Sequence, residues 1–232
     1  MSDASPPRPN PRLHHGGKIA SRHRVKTAPA AGLPVVVGGE DPPPLPALLP
    51  PGIEAVEIEV GSGKGMFVLA ATAAKPHTFV LGIEAALPYA QFAAERLQRS
   101  GRTNGLFLVD NAKAYLEDRV PAASLTRLHV YYPDPWPKRR HRRRRFFTAE
   151  IPATIARVLR DDGHLLVATD NPAYAGQICA VLGASDLLER DFAEEVRLLA
   201  SPPGIGFSPT HFERKYREEG RILRRYAYRK RR

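Results

Sequence analysis

Cysteine is nearly absent from the 232-residue chain: Cys179 stands alone, which excludes an internal disulfide and a thiolate zinc cluster. A lone thiol suits a reducing compartment, and Cys179 reads as a small core residue rather than a nucleophile. Long apolar runs are missing too. None approaches the ~20 residues of a membrane span, and residues 1–30 mix Pro, Arg and His without the apolar stretch of a secretory signal. A soluble protein resident in the cytoplasm is expected. Acidic residues are in deficit, with 24 Asp and Glu against 35 Lys and Arg and a net charge of +11. That balance favours a polyanionic partner, nucleic acid or an anionic membrane surface, and charge alone does not choose between them.

Aromatics are scarce before residue 53, whereas about half of the 23 prolines fall there, together with Arg8, Arg12, Lys18, Arg22, Arg24 and Lys26. Such a segment buries too little apolar surface to offset its ordering entropy, so residues 1–50 are expected to be a mostly disordered basic tail. From residue 51 to 232 one domain is expected. Short apolar runs at 56–60, 78–83, 106–110, 127–132 and 164–169 read as strands, separated by helix-like stretches at 66–74, 88–100, 112–118 and 148–159. A fifth helix over 171–182 and two more strands over 192–198 and 222–228 complete the pattern. The expected architecture is a Rossmann-like α/β fold: a mostly parallel sheet of seven strands, one of them antiparallel, with helices on both faces.

Where the first strand meets its helix, Glu59-Val60-Gly61-Ser62-Gly63-Lys64-Gly65 puts three glycines at a turn that a ligand can approach closely. Glu84 ends the second strand about twenty residues later, where a carboxylate can take both ribose hydroxyls of a nucleotide-like cofactor. The spacing is GxGxG, not the GxGxxG of dinucleotide binders, and Glu59 would repel a pyrophosphate. A sulfonium and an amino group tolerate that charge, so S-adenosylmethionine fits better than a nicotinamide dinucleotide. Asp110-Asn111 at the third strand end could meet an adenine or cap the next helix.

After the fourth strand comes Tyr132-Pro133-Asp134-Pro135-Trp136-Pro137-Lys138, followed by Arg139, Arg140, His141, Arg142, Arg143, Arg144 and Arg145. Three prolines stiffen a loop that carries a carboxylate and the chain's one tryptophan at the crevice edge of the sheet. An aromatic plane beside arginines is a platform for an unstacked base. Thr169-Asp170 ends the fifth strand on the same edge. Thr210-His211-Phe212-Glu213 precedes another basic run, and His211 has no second His or Cys at metal-ligand spacing, so no metal is expected.

These motifs resemble those of the bacterial single-chain tRNA (guanine-N7-)-methyltransferases, over about residues 54–228: an EIGxGxG loop at Glu59–Gly65, GIE at Gly82–Glu84, PDPWxK at Pro133–Lys138, TD at Thr169-Asp170 and T-x-F-E at Thr210–Glu213. Val60 stands for the usual Ile, and Asn111 for a frequent Asp. The resemblance implies a class I methyltransferase sheet and methyl transfer from S-adenosylmethionine to N7 of a variable-loop guanosine in tRNA. It implies that Glu59, Gly61, Gly63, Glu84, Asn111 and Asp134 line the cofactor pocket and that Asp134 is the active-site residue. Lys138, Asp170, Thr210, His211, Phe212 and Glu213 would meet the target nucleotide, and Arg140, His141, Arg142, Arg143, Arg144 and Arg145 the RNA. A monomer or homodimer is expected. The rival readings are an RNA methyltransferase acting on an exocyclic amine and a non-catalytic RNA-binding protein on the same fold.

Overall fold

In the computed structural model the residues described are 34–38, 41–201 and 219–231. Eight strands form one sheet: β1 (Val35–Val37), β2 (Ala55–Val60), β3 (Thr78–Ile83), β4 (Gly105–Val109), β5 (Leu125–Tyr131), β6 (Leu159–Thr169), β7 (Leu188–Arg190) and β8 (Arg224–Lys230). Six α-helices accompany them: α1 (Met66–Ala74), α2 (Leu87–Arg99), α3 (Ala112–Asp118), α4 (Ile151–Val158), α5 (Pro172–Gly183) and α6 (Phe192–Leu199). The order across the sheet is β1-β4-β3-β2-β5-β6-β8-β7. All neighbours run parallel except at β8, which is antiparallel to β6 and β7. The single antiparallel strand is thus as expected, and the strand count is eight rather than seven.

Strands β2 and β3 are buried on both faces, so they read as near-continuous apolar runs rather than alternating ones. One apolar cluster lies on each side of the sheet. Ile58, Leu81, Leu128 and Leu165 belong to the first, and Val80, Phe107, Phe67 and Leu166 to the second. Because β2 has β3 on one side and β5 on the other, the direction of strand addition reverses there. A crevice outside the carboxyl ends of β2, β3 and β5 is the consequence.

Two expectations change. The stretch 192–198, read as a strand, is helix α6. Asp191 caps it by accepting from Glu194 N at 3.0 Å, two glutamates occupy the first turn, and Glu195 and Leu198 face inward at helical spacing. The stretch read as tail also contributes to the fold: Val35–Val37 pairs with β4, and Leu45 is fully covered in the core. Residues 1–33 of that tail lie outside the described residues.

Polar groups cross the interior under the crevice. Glu57 accepts from Lys75 Nζ at 2.5 Å and contacts His129 Nε2 at 3.0 Å, while His129 Nδ1 meets the Tyr131 hydroxyl at 2.8 Å. Burial alone would raise the Glu57 carboxyl, but His129 and Lys75 hold it at about 2. Burial, opposed by Glu57, lowers His129 to about 4. A neutral ring therefore gives its Nε2 proton to Glu57 and accepts from Tyr131. Since the folded pKa of His129 lies below its ordinary value of 6.5, its contribution is lost as pH falls from about 6.5 toward about 4. Thermal melts over that window should show a decline that His129→Gln flattens.

Gly65 is the tightest glycine among the described residues. Its φ is 72°, and a Cβ there would lie 2.7 Å from both the Ala93 Cβ and the Phe107 ring. Gly65→Ala should cost about 2–4 kcal/mol, the left-handed backbone penalty added to overpacking, read as a shift of the urea midpoint.

Candidate functional site

The crevice is built from β2, β3 and β5. Gly61 and Gly63 have φ of 74° and 51°, which lets the loop fold back so that Gly61 N and Ser62 N both donate to Ile83 O, at 2.8 and 3.1 Å. Glu84 is the clasp: its carboxylate accepts from Gly63 N and from Ala86 N, each at 2.9 Å. Burial raises the Glu84 pKa, partly countered by those two amides, and the charge of Asp134 adds to the rise. Asp134 therefore lies close enough for its field to reach Glu84.

Glu59 lies deeper. It is 3 % exposed, and burial followed by the charge of Glu84 drives its pKa well above 4.5. Its Oε2 and the Ser62 hydroxyl have no hydrogen-bond partner among the described residues. Buried polar atoms are nearly always paired, so two unpaired ones beside a glycine loop mark a place for a ligand with hydrogen-bond donors. Glu84 disfavours the charge of Glu59, and Asp134 that of Glu84, which calls for a cationic ligand. The amino group and sulfonium of S-adenosylmethionine supply both properties, and the residues present fit it. Ser62 was not singled out from sequence; a serine between two glycines carries no signal of its burial.

The loop after β5 is strained. Tyr132 and Trp136 adopt φ of 52° and 37°, values that cost bulky residues conformational energy. Arg145 holds the loop in place: its guanidinium donates to Trp136 O at 3.2 Å and to the Gln177 side-chain oxygen, and it lies 4.9 Å from the Tyr174 ring centroid. Expected to face RNA, Arg145 is instead only 7 % exposed. Arg144 stacks over Trp136 at 5.1 Å, and His141 meets the same ring edge-on at 5.7 Å. Partial loss of water and the charges of Arg144, Arg140, Lys138 and Arg143 lower the His141 pKa, so it is neutral near pH 7. Lys138, Arg140, Arg142 and Arg143 are exposed along a short 3-10 turn over 139–144. Arg145→Ala should cost about 1–3 kcal/mol through its lost hydrogen bonds. It should also shift the emission of the single tryptophan, and Arg145→Lys should not restore it, because an ammonium lacks the fork.

Asp170, at the end of β6, is paired with Arg221 at 2.7 Å, and Arg221 also reaches Glu219 at 2.7 Å. That cation lies 51 positions away in the chain, and nothing local foretold it. Asn111 is the N-cap of α3, accepting from Lys113 N at 3.0 Å, so its capping role is realised at the same sheet edge. Thr210, His211, Phe212 and Glu213 lie outside the described residues. The structure thus brings together Glu59, Gly61, Gly63, Glu84 and Asp134. It sets Trp136 with Arg144 and His141 on one rim and Asp170 at the neighbouring strand end.

The chain is similar to known proteins. A tRNA (guanine-N(7)-)-methyltransferase of Nocardia farcinica is 38 % identical over 177 residues, 74 % of this chain and 65 % of that protein. One of Rhodopseudomonas palustris strain HaA2 is 32 % identical over 235 residues, 96 % of this chain and 90 % of that protein. Among solved structures, the antibiotic-resistance methyltransferase Kmr superposes with a TM-score of 0.50 at 21 % identity, covering 80 % of this chain and 91 % of that one, a likeness of fold. The family model Methyltransf_4, which describes methyltransferases, matches residues 54–225, and the chain belongs to that family.

Proposed function

We propose that the protein transfers the methyl group of S-adenosylmethionine to N7 of a guanosine in tRNA, forming 7-methylguanosine. The observation that carries this reading is the pair of buried, unpartnered polar atoms, Glu59 Oε2 and the Ser62 hydroxyl, beside a glycine loop clasped by Glu84, with Trp136 stacked on Arg144 in the loop after β5. When bound, S-adenosylmethionine supplies an electrophilic methyl group on a positively charged sulfur. Guanine N7 offers a lone pair and carries no proton, so the site needs no general base. What the chain must do is position, and orientation of this kind is worth up to ~7–11 kcal/mol.

Glu84 and Glu59 provide acceptors and negative charge for the bound cation. Asp134, with Asp170, accepts the N1 and N2 donors of guanine and stabilises the positive charge that develops on the ring. Trp136, in contact with Arg144 and edge-on to His141, offers an aromatic surface to the extruded base. Lys138, Arg140, Arg142 and Arg143 meet phosphates, and Thr210, His211, Phe212 and Glu213, by the family motif, contact the target nucleotide. Cytoplasmic tRNA as substrate accords with the excess of basic residues and the single cysteine.

The decisive assay incubates the chain with unmodified tRNA and methyl-labelled S-adenosylmethionine, then identifies the labelled nucleoside after digestion. Labelled 7-methylguanosine is expected. An N-methylamine product would move the chemistry to an exocyclic amine, and tRNA binding without cofactor binding would make the chain a non-catalytic RNA binder.

A further inference from the structure

Cations gather on the outer side of α1 and α2, where the proposed reaction leaves them unused. Lys64, exposed within the glycine loop, points its ammonium at the Phe92 ring, 6.0 Å from the centroid, and Arg96 approaches the same ring at 5.9 Å. Phe92 is 45 % exposed, so its ring face is open to a stacking partner. Behind it a groove of about 500 Å³ runs between the helices, lined by Leu69, Ala73, Arg96, Arg99, Ser100 and Arg102. Arg96 donates to Lys64 O at 2.9 Å and Arg102 to Leu69 O at 3.1 Å. Each guanidinium is thereby tethered by one arm and keeps its other donors for a ligand, so less side-chain freedom is lost on binding. Among the described residues the ion pair within the cluster is Arg99 with Glu95, at 4.0 Å and largely exposed, too long and too wet to quench the field.

The cluster borders the glycine loop: Glu84 accepts from Gly63 N at 2.9 Å, Lys64 is the next residue, and Arg96 donates to Lys64 O. A polymeric anion whose base occupies the crevice would extend past Lys64 into the groove. We infer that Lys64, Phe92, Arg96, Arg99 and Arg102 form a second tRNA-docking surface, which grips the phosphate backbone of a stretch other than the one met by residues 138–144 and stacks Phe92 on an unpaired base. This surface rests on the tRNA reading of the function. It divides the RNA contact in two: the loop after β5 presents the target base, and the α1–α2 groove fixes the body of the molecule.

The test uses the full chain, unmodified tRNA and two variants, Arg96→Gln/Arg99→Gln and Phe92→Ala. Glutamine at 96 keeps a donor for Lys64 O. Removing two phosphate contacts should flatten the log–log salt dependence of tRNA binding by about 1.4–1.8 between about 50 and 200 mM salt. Affinity near physiological salt should fall about tenfold. Phe92→Ala should weaken tRNA binding about fivefold or more with the slope unchanged, because stacking releases no ions. S-adenosylmethionine affinity, measured on the same preparations, should hold. A wild-type slope and affinity in the double variant would overturn the inference. So would parallel loss of cofactor affinity, which would assign these residues to the loop, or loss of binding to anionic vesicles with tRNA binding intact. A wild-type chain that binds tRNA yet yields no 7-methylguanosine would remove the proposed reaction and leave the salt slopes to decide the groove.

Discussion

Asp134→Asn is expected to lower the single-turnover rate at saturating tRNA by about 10²–10³-fold, the loss typical of removing one group aimed at developing charge. Asparagine matches aspartate in size and keeps one acceptor, so the strained loop should hold and the folding midpoint should move little. What changes is charge and pattern. An amide pointed at guanine N1–H and N2–H sets donor against donor, and the positive charge created on the ring at N7 methylation loses its counterion. S-adenosylmethionine affinity should fall less than the rate, because Glu59 and Glu84 remain. Asp170→Asn should act more weakly, since Arg221 already neutralises that carboxylate at 2.7 Å. Rates near wild type in both variants would end the assignment of guanine recognition to these aspartates.

Much of this site was legible because it is local in sequence. The glycine loop, Glu84 and the proline-stiffened loop each declare themselves within a few residues, and the parallel β–α alternation places all three on one sheet edge. Three features were not legible, each for a physical reason. Arg145 ends a run of basic residues that looks uniformly solvated. Only the fold shows that it turns inward to Gln177, Tyr174 and Trp136 O, partners supplied by α5 and by the strained loop. The pairing of Arg221 with Asp170 joins β6 to the approach of β8, a contact made by antiparallel closure and by no local pattern. Strand β1 is three valines in a proline-rich context, and it forms because β4 would otherwise present an open edge. Helix α6 differs: its exposed Phe192, Val196 and Leu199 and its buried Glu195 and Leu198 fall at helical spacing, so the sequence carried the 3.6 period that a strand reading passes over.

The pH dependence of cofactor binding should expose the role of Glu59. Its folded pKa lies well above 4.5 because burial and then the charge of Glu84 disfavour the ionised form. A cationic ligand favours that ionised form. S-adenosylmethionine affinity should therefore rise with pH through the window above 4.5, by up to about tenfold per unit for each proton released, and level off once Glu59 is ionised. Glu59→Gln should weaken binding by about 10- to 100-fold, as loss of a charge-assisted hydrogen bond does, and should flatten the profile. Stability should move the opposite way. A carboxyl whose pKa is higher folded than unfolded contributes stability that is present below the unfolded value and lost as pH rises through the folded one. Glutamine has no such proton to lose, so the cofactor-free Glu59→Gln protein should melt higher than wild type at alkaline pH while binding its cofactor worse. That opposition separates a ligand-binding carboxylate from a structural one: a structural Glu59 would give a variant that melts lower and binds the cofactor with an unchanged pH profile.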